Sequence, residues 1–130
     1  MALEEGLIVP ALMHCEHKSL VEIAKGSKDL IQRAHGGRLS QEEYTSGTFT
    51  VSNLGMYDVD EFTAIIVPPQ AAVLAVGAVR QLPIVRSGEV VTSRIMKTTL
   101  SVDHRVADGA QAAQFLSKVK RLLEYPNDIL

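Results

Sequence analysis

The chain has no tryptophan, and among its 130 residues there is one cysteine, Cys15. A single thiol excludes an internal disulfide and suits a reducing compartment. No apolar run approaches the ~18 residues of a membrane span. The start, Met1-Ala2-Leu3-Glu4-Glu5, lacks the basic and apolar regions of a signal peptide. Charge of one sign is also missing. The net charge is −2 with acids and bases interspersed, which gives no footprint for nucleic acid. There is no internal repeat, low-complexity tract or linker. These absences predict a soluble intracellular protein that binds neither nucleic acid nor membrane.

Hydrophobic content of 46% and charged content of 22% fit one globular domain with a core, and exclude a disordered class. Gly6 to Met13 is a short apolar run interrupted by Pro10, which predicts a strand at a sheet edge or end. His14-Cys15-Glu16-His17 offers three metal-ligand types, but no second ligand pair follows, so it reads as a polar turn and no metal is expected. Ser19 with Glu22 forms a capping box, and Leu20, Ile23, Ala24, Leu30, Ile31 and Ala34 recur at helical spacing up to Gly36-Gly37. That stripe predicts core packing. Ser40 with Glu43 is a second capping box over a short turn. Gly47 to Gly55 is strand-like, with Phe49, Val51 and Asn53 on one face and Thr48, Thr50, Ser52 and Leu54 on the other. An acidic loop, Met56 to Glu61, leads to a predicted strand over Phe62 to Val67, ended by Pro68-Pro69. Ala72 to Val79 is apolar enough to be buried on both faces. A hairpin around Ser87-Gly88 and a long strand to Val102 follow. From Gln111 to Glu124 the spacing predicts a helix, with Phe115, Leu116, Val119, Leu122 and Leu123 inward and Lys118, Lys120 and Arg121 outward, stopped at Pro126. The order of elements predicts an α/β or α+β fold with a mixed sheet flanked by helices.

Between that last strand and helix lies Ser101-Val102-Asp103-His104-Arg105-Val106-Ala107-Asp108-Gly109. A strand end is a rigid platform on which a histidine can be aimed. Imidazole titrates near pH ~6.5, so His104 is a candidate proton acceptor at neutral pH. The same residues also make an ordinary strand-to-helix turn: Asp108 is a good N-cap, Gln111 completes a capping box, and Arg105 can pair with Asp103 or Asp108.

Three blocks in series carry more information than any one of them. GTFTVSNLGM (47–56), PPQAAVLAVG (68–77) and LSVDHRVADGAQAAQFL (100–116) closely resemble the catalytic domain of the dihydrolipoamide acyltransferases, the E2 cores of 2-oxo acid dehydrogenase complexes. DHRxxDG is that family's signature; its wider relatives, including chloramphenicol acetyltransferase, carry HHxxxDG. The likeness extends through GLIVP (6–10) and the helix after Lys18, so it covers nearly the whole chain. It implies a chloramphenicol-acetyltransferase-like fold in which residues 1–130 are the C-terminal portion of the catalytic domain.

The resemblance implies acyl transfer, of the pyruvate or acetoin type and so acetyl, between dihydrolipoamide and coenzyme A as substrates. It implies His104 as general base, Ser52 as oxyanion donor and Asp108 as the residue that holds the turn by pairing with an arginine. A base is needed because a thiol of pKa ~8.5 is only a few per cent thiolate at neutral pH. Family sites lie between subunits of a trimer, which implies self-association as a homotrimer or larger shell, with the apolar Ile129 and Leu130 available for assembly. An N-terminal part, a lipoyl domain and the regions that meet the E1 and E3 components are expected to lie outside these 130 residues, as is the arginine for Asp108. A bacterial cytoplasm or a mitochondrial matrix is the implied location. A catalytically incomplete structural or oligomerisation fragment is the alternative function. Asp58 stands where the family usually has glycine, and Val67 where asparagine is common.

Overall fold

The computed structural model describes residues 2–3 and 6–128 and divides into two compact units, residues 1–47 and 48–130. In the first, β1 (Ala2–Leu3) and β2 (Gly6–Leu7) pair antiparallel. The strand expected from Gly6 to Met13 is therefore laddered over two residues only. Pro10 has no N–H to offer, and the Ala11 N–H donates instead to the Glu43 carbonyl at 2.7 Å. Cys15–His17 forms one 3₁₀ turn. Helix α1 (Leu20–His35) starts at the expected capping box, with Ser19 and Glu22 bonded in both directions, and ends at Gly36. Of its predicted core stripe only Leu30 and Ala34 are buried, while Leu20 and Ile31 are exposed. Gly26 has a packing role: a Cβ there would lie 2.8 Å from Leu12 Cδ1. The loop side chain thus fills the notch that glycine leaves.

Helix α2 (Gln41–Thr45) carries the second capping box, from Ser40 to Glu43. Arg33 ties the two helices. Its Nε donates to Asp29 at 2.7 Å, and its two terminal nitrogens take both Glu43 carboxylate oxygens. Those bonds, with the Ser40 N–H, hold the Glu43 carboxyl down at about 2.

The second unit is built on a three-stranded mixed sheet, as expected. Its order is β3 (Phe49–Asn53), β4 (Ala72–Arg86), β5 (Glu89–Val102). β3 runs parallel to β4, with Ser52 opposite Ala75, and β5 runs antiparallel, with Thr99 opposite Ala75. Ala72, Val73, Leu74, Ala75 and Ala78 form the core. The two-sided burial expected up to Val79 stops one residue early, because a bulge between Val76 and Val79 turns the strand and leaves Val79 60% exposed. Beyond it β4 and β5 continue as an arm to a two-residue turn. Ser87 (φ 54°) and Gly88 (φ 87°) there both take the left-handed region, as a type I′ hairpin requires.

Helix α3 (Gly109–Glu124) packs on the sheet through Phe115, whose ring centroid lies 5.7 Å from that of Phe49. Its predicted inward stripe is only half covered, with Phe115 and Leu123 still exposed. The strand expected over residues 62–67 does not form. The segment has the alternating exposure of extended chain, and Ile65 is 89% exposed, but no described strand pairs with it. Side chains of β5 hold it instead: Ser101 Oγ donates to the Ala64 carbonyl at 2.8 Å, and Lys97 pairs with Glu61 at 2.9 Å. A 3₁₀ turn, Pro126–Asp128, follows the helix. Ile129 and Leu130, expected to serve assembly, lie outside the described residues.

Candidate functional site

His104 sits at the tip of a turn that is braced from inside. The Asp103 N–H donates to the Ala71 carbonyl at 2.8 Å, which seats the turn on the end of β4. The Asp103 carbonyl then accepts from Val106 and Ala107. The Asp103 carboxylate accepts from the Arg105 N–H at 2.9 Å and from its guanidinium at 2.5 Å. Of the two partners open to Arg105, the structure selects Asp103. The Arg105 bonds hold the Asp103 carboxyl down at about 2. Asp108 Oδ1 accepts from the Gln111 N–H at 2.8 Å, and the Gln111 side chain returns a bond to the Asp108 N–H at 2.9 Å. The capping role is thus present. The arginine partner implied by the resemblance is not seen among the described residues. His104 projects between these two braces, exposed, and its ring has no hydrogen-bond partner among the described residues.

Ser52 is mounted differently. It is the fourth residue of β3 and shares a face with Thr50, Val73, Ala75, Thr99 and Ser101, opposite the face that meets α3. This polar face is half covered, whereas Phe49 and Val51 on the apolar face are exposed. The hydrophobic pattern alone suggests the reverse. The reason is the loop after β3, which returns across the polar side. Thr50 Oγ1 bonds Gln70, and the Leu54 N–H donates to the Val76 carbonyl at 3.1 Å. The Asn53 side chain accepts from the Gly55 N–H at 2.9 Å. Asp58 takes φ 66°, which explains why glycine suits that position and why an aspartate is tolerated there. The Ser52 hydroxyl has no partner among the described residues.

Within one chain the two side chains do not meet. Ser52 is level with Ala75 and Thr99, and Val102 lies three residues nearer the His104 end of β5. At ~3.3 Å per residue and ~4.8 Å per strand, that is about 10 Å along the sheet and about 10 Å across it, before the chain reaches His104. His104 and Asp108 are carried on one turn, four residues apart in sequence; Ser52 is not on it.

A groove of about 700 Å³ lies between β5 and α3, lined by Met96, Thr98, Leu116, Val119 and Leu123 with Arg94 and Lys120 at its rim. It opens on the sheet face opposite Ser52 and along the half of α3 remote from His104, so it serves neither. Sequence reasoning missed Arg80, which pairs with Asp58 and Asp60 at 2.6 Å each. The signal was there: a lone cation interrupting an apolar strand, and an acidic loop with no partner assigned. Among the described residues no group of three His, Cys, Asp or Glu side chains is placed to hold a metal.

The family model for the 2-oxoacid dehydrogenases acyltransferase catalytic domain matches residues 1–130. The chain belongs to that family. It is 47% identical over its full length to the dihydrolipoyllysine-residue acetyltransferase component of the mitochondrial pyruvate dehydrogenase complex of Schizosaccharomyces pombe, of which it covers 28%. It is 43% identical over 97% of its length to the corresponding component of Rickettsia felis, of which it covers 31%. The chain thus spans about three tenths of these relatives. Among solved structures it superposes on the dihydrolipoamide acetyltransferase (E2p) of Azotobacter vinelandii with a TM-score of 0.89 and 31% identity, over 97% of this chain and 52% of that one. A serine, a histidine and an asparagine of that protein have been examined for their role in its catalytic mechanism; the histidine follows the serine by 52 residues and the asparagine follows the histidine by four. The cubic core of the pyruvate dehydrogenase multienzyme complex superposes with a TM-score of 0.85 and 31% identity, over 92% of this chain and 49% of that one. The mixed sheet is thus that of the E2 catalytic cores, as the sequence led us to expect.

Proposed function

We propose that residues 1–130 are the C-terminal portion of an E2 catalytic domain and carry acyl transfer, of acetyl, between dihydrolipoamide and coenzyme A. One observation carries the assignment of residues. Ser52, His104 and Asp108 keep the same intervals as the serine, histidine and asparagine examined in the Azotobacter vinelandii enzyme, with aspartate in place of the asparagine.

The chemistry follows from the two open side chains. His104 takes the proton of the coenzyme A thiol, and the thiolate attacks the carbonyl carbon of the acetyl thioester on the lipoyl group. The carbonyl oxygen becomes an oxyanion, to which the Ser52 hydroxyl donates. On collapse the carbon–sulfur bond to the lipoyl arm breaks, and the departing sulfur takes the proton back from the imidazolium. General-base help of this kind contributes about 10²–10⁴-fold in rate, and an oxyanion donor about 10²–10³-fold. Asp108 takes no proton; it caps α3 and fixes the turn that carries His104.

Because Ser52 and His104 stand apart in one chain, the complete site joins Ser52 of one copy to His104 of another, in a homotrimer or a larger shell. The lipoyl arm delivers its acetyl group to this site, and the E1 and E3 components engage regions beyond these residues. A bacterial cytoplasm or a mitochondrial matrix is the compartment that fits relatives of both origins. The second reading, a structural fragment without activity, is favoured by the same separation of the two side chains.

The test is complementation. Acetyl-coenzyme A and free dihydrolipoamide are supplied, and thioester transfer is followed. His104→Ala is expected to lower the rate of the wild-type chain by about 10²–10⁴-fold. Mixing His104→Ala chains with Ser52→Ala chains should regenerate about a quarter of the sites in a trimer. No recovery after demonstrated subunit exchange overturns the shared site, and no transfer by a folded wild-type chain leaves the structural reading.

A further inference from the structure

The bulge in β4 has a use that the sheet alone does not explain. Between Val76 and Val79, β4 carries one residue more than β5 opposite, which turns the Ala78 N–H out of the ladder. That N–H donates to the Val59 carbonyl at 2.8 Å. At the adjacent Gly77, which is buried, a Cβ would lie 2.0 Å from the Asp60 carbonyl oxygen. Loop backbone and strand backbone are in direct contact there, and no side chain fits between them.

Arg80 reaches back over the same crossing. Its Nη1 pairs with Asp58 Oδ1 at 2.6 Å, its Nε with Asp60 Oδ1 at 2.6 Å, and its Nη2 donates to the Asp58 carbonyl at 3.0 Å. The other end of the loop is tied to the Val76 carbonyl by the Leu54 N–H, two residues from Ser52. The loop after β3 is thus fastened to β4 on both sides of the bulge.

We propose that Arg80 is a positioning residue for Ser52. Its guanidinium, gripping Asp58 and Asp60, closes loop 54–60 onto the β4 bulge and so fixes the direction of the Ser52 hydroxyl at the end of β3. The proposal rests on the reading of Ser52 as oxyanion donor. The pairs are exposed, so their charge alone contributes little to stability. Their effect is geometric, and arginine serves it best: three donors in one rigid plane meet two residues of the loop, whereas a lysine ammonium on a flexible stem reproduces the grip only in part.

The experiment uses Arg80→Ala and Arg80→Lys in the full chain, with two readouts. The first is amide hydrogen exchange. Arg80→Ala should speed exchange at Leu54 and Ala78 by about tenfold or more, and leave the rung joining Leu82 and Ser93 unchanged. The second is steady-state thioester transfer. Arg80→Ala should lower kcat by about tenfold with KM for coenzyme A within about twofold, and Arg80→Lys should recover part of the loss. Unchanged exchange at Leu54 and Ala78 overturns the clamp. Faster exchange with unchanged kcat overturns the positioning role. A wild-type chain that transfers nothing overturns the proposal together with the function it rests on, and the exchange data then tell the two failures apart.

Discussion

His104 and Ser52 are carried on mounts of opposite kinds. Apart from the seat of Asp103 on Ala71, every bond that shapes the His104 turn joins residues no more than four apart. The Ser52 mount is long-range: Thr50 to Gln70, Leu54 to Val76, Val59 to Ala78, and Asp58 and Asp60 to Arg80. A local mount folds with its own residues and changes little when the rest of the chain changes. A long-range mount depends on how well distant backbone segments meet, so it is the more easily disturbed from afar.

The sharpest way to break this contrast is a methyl group. Gly77→Ala in the long-range mount places its Cβ where the Asp60 carbonyl stands, and should cost about 1–3 kcal/mol through overpacking, read as a lower midpoint in thermal or urea unfolding. Gly109→Ala in the local mount meets nothing within 4 Å and should stay within about 0.5 kcal/mol of wild type. Equal losses at the two sites would erase the distinction. A smaller effect is expected from Asp108→Ala, which removes the N-cap of α3 at a cost of about 1 kcal/mol. Because Asp108 holds the turn, thioester transfer by the folded variant should still fall much less than in His104→Ala; an equal fall would give Asp108 a direct part in the chemistry.

The smallest effect is one of pH. Asp103 has its folded value lowered from 3.8 to about 2 by Arg105. A lowered carboxyl contributes stability that is fully present above its ordinary value and is lost as pH falls through the folded value. The His104 turn should therefore hold its geometry down to pH 3.8 and loosen between there and about 2. Amide shifts of Arg105, Val106 and Ala107 would follow it. In Arg105→Ala the Asp103 midpoint should move back up towards 3.8; a midpoint that stays low assigns the shift to the turn backbone instead.

The same contrast explains what could be read in advance. The three capping boxes at Ser19, Ser40 and Asp108 and the hairpin around Ser87-Gly88 each depend on residues within one or two turns of chain, and the mixed sheet followed from the order of elements. All were legible. The DHRVADG turn was legible for the same reason, down to the choice left open for Arg105. The strand expected over residues 62–67 failed because alternation reports extended chain, not a partner for its hydrogen bonds. The inverted burial of β3, the notch at Gly26 for Leu12 and the grip of Arg80 on Asp58 and Asp60 all join segments far apart in sequence. Only the last left a local sign, an arginine among apolar residues and an acidic loop with no partner assigned. Asp58 shows the limit well. As a departure from glycine it drew attention to the loop, but only the structure shows a left-handed residue whose carboxylate has found Arg80.

The offset between Ser52 and His104 along the sheet also sets the kinetic order of any reaction that needs both. Under the shared site proposed above, the reactive species is a product of association, and its amount follows protein concentration by mass action. Dilution below the dissociation constant of that assembly lowers activity per chain even though every chain stays folded, and specific activity is then a property of the population rather than of the molecule.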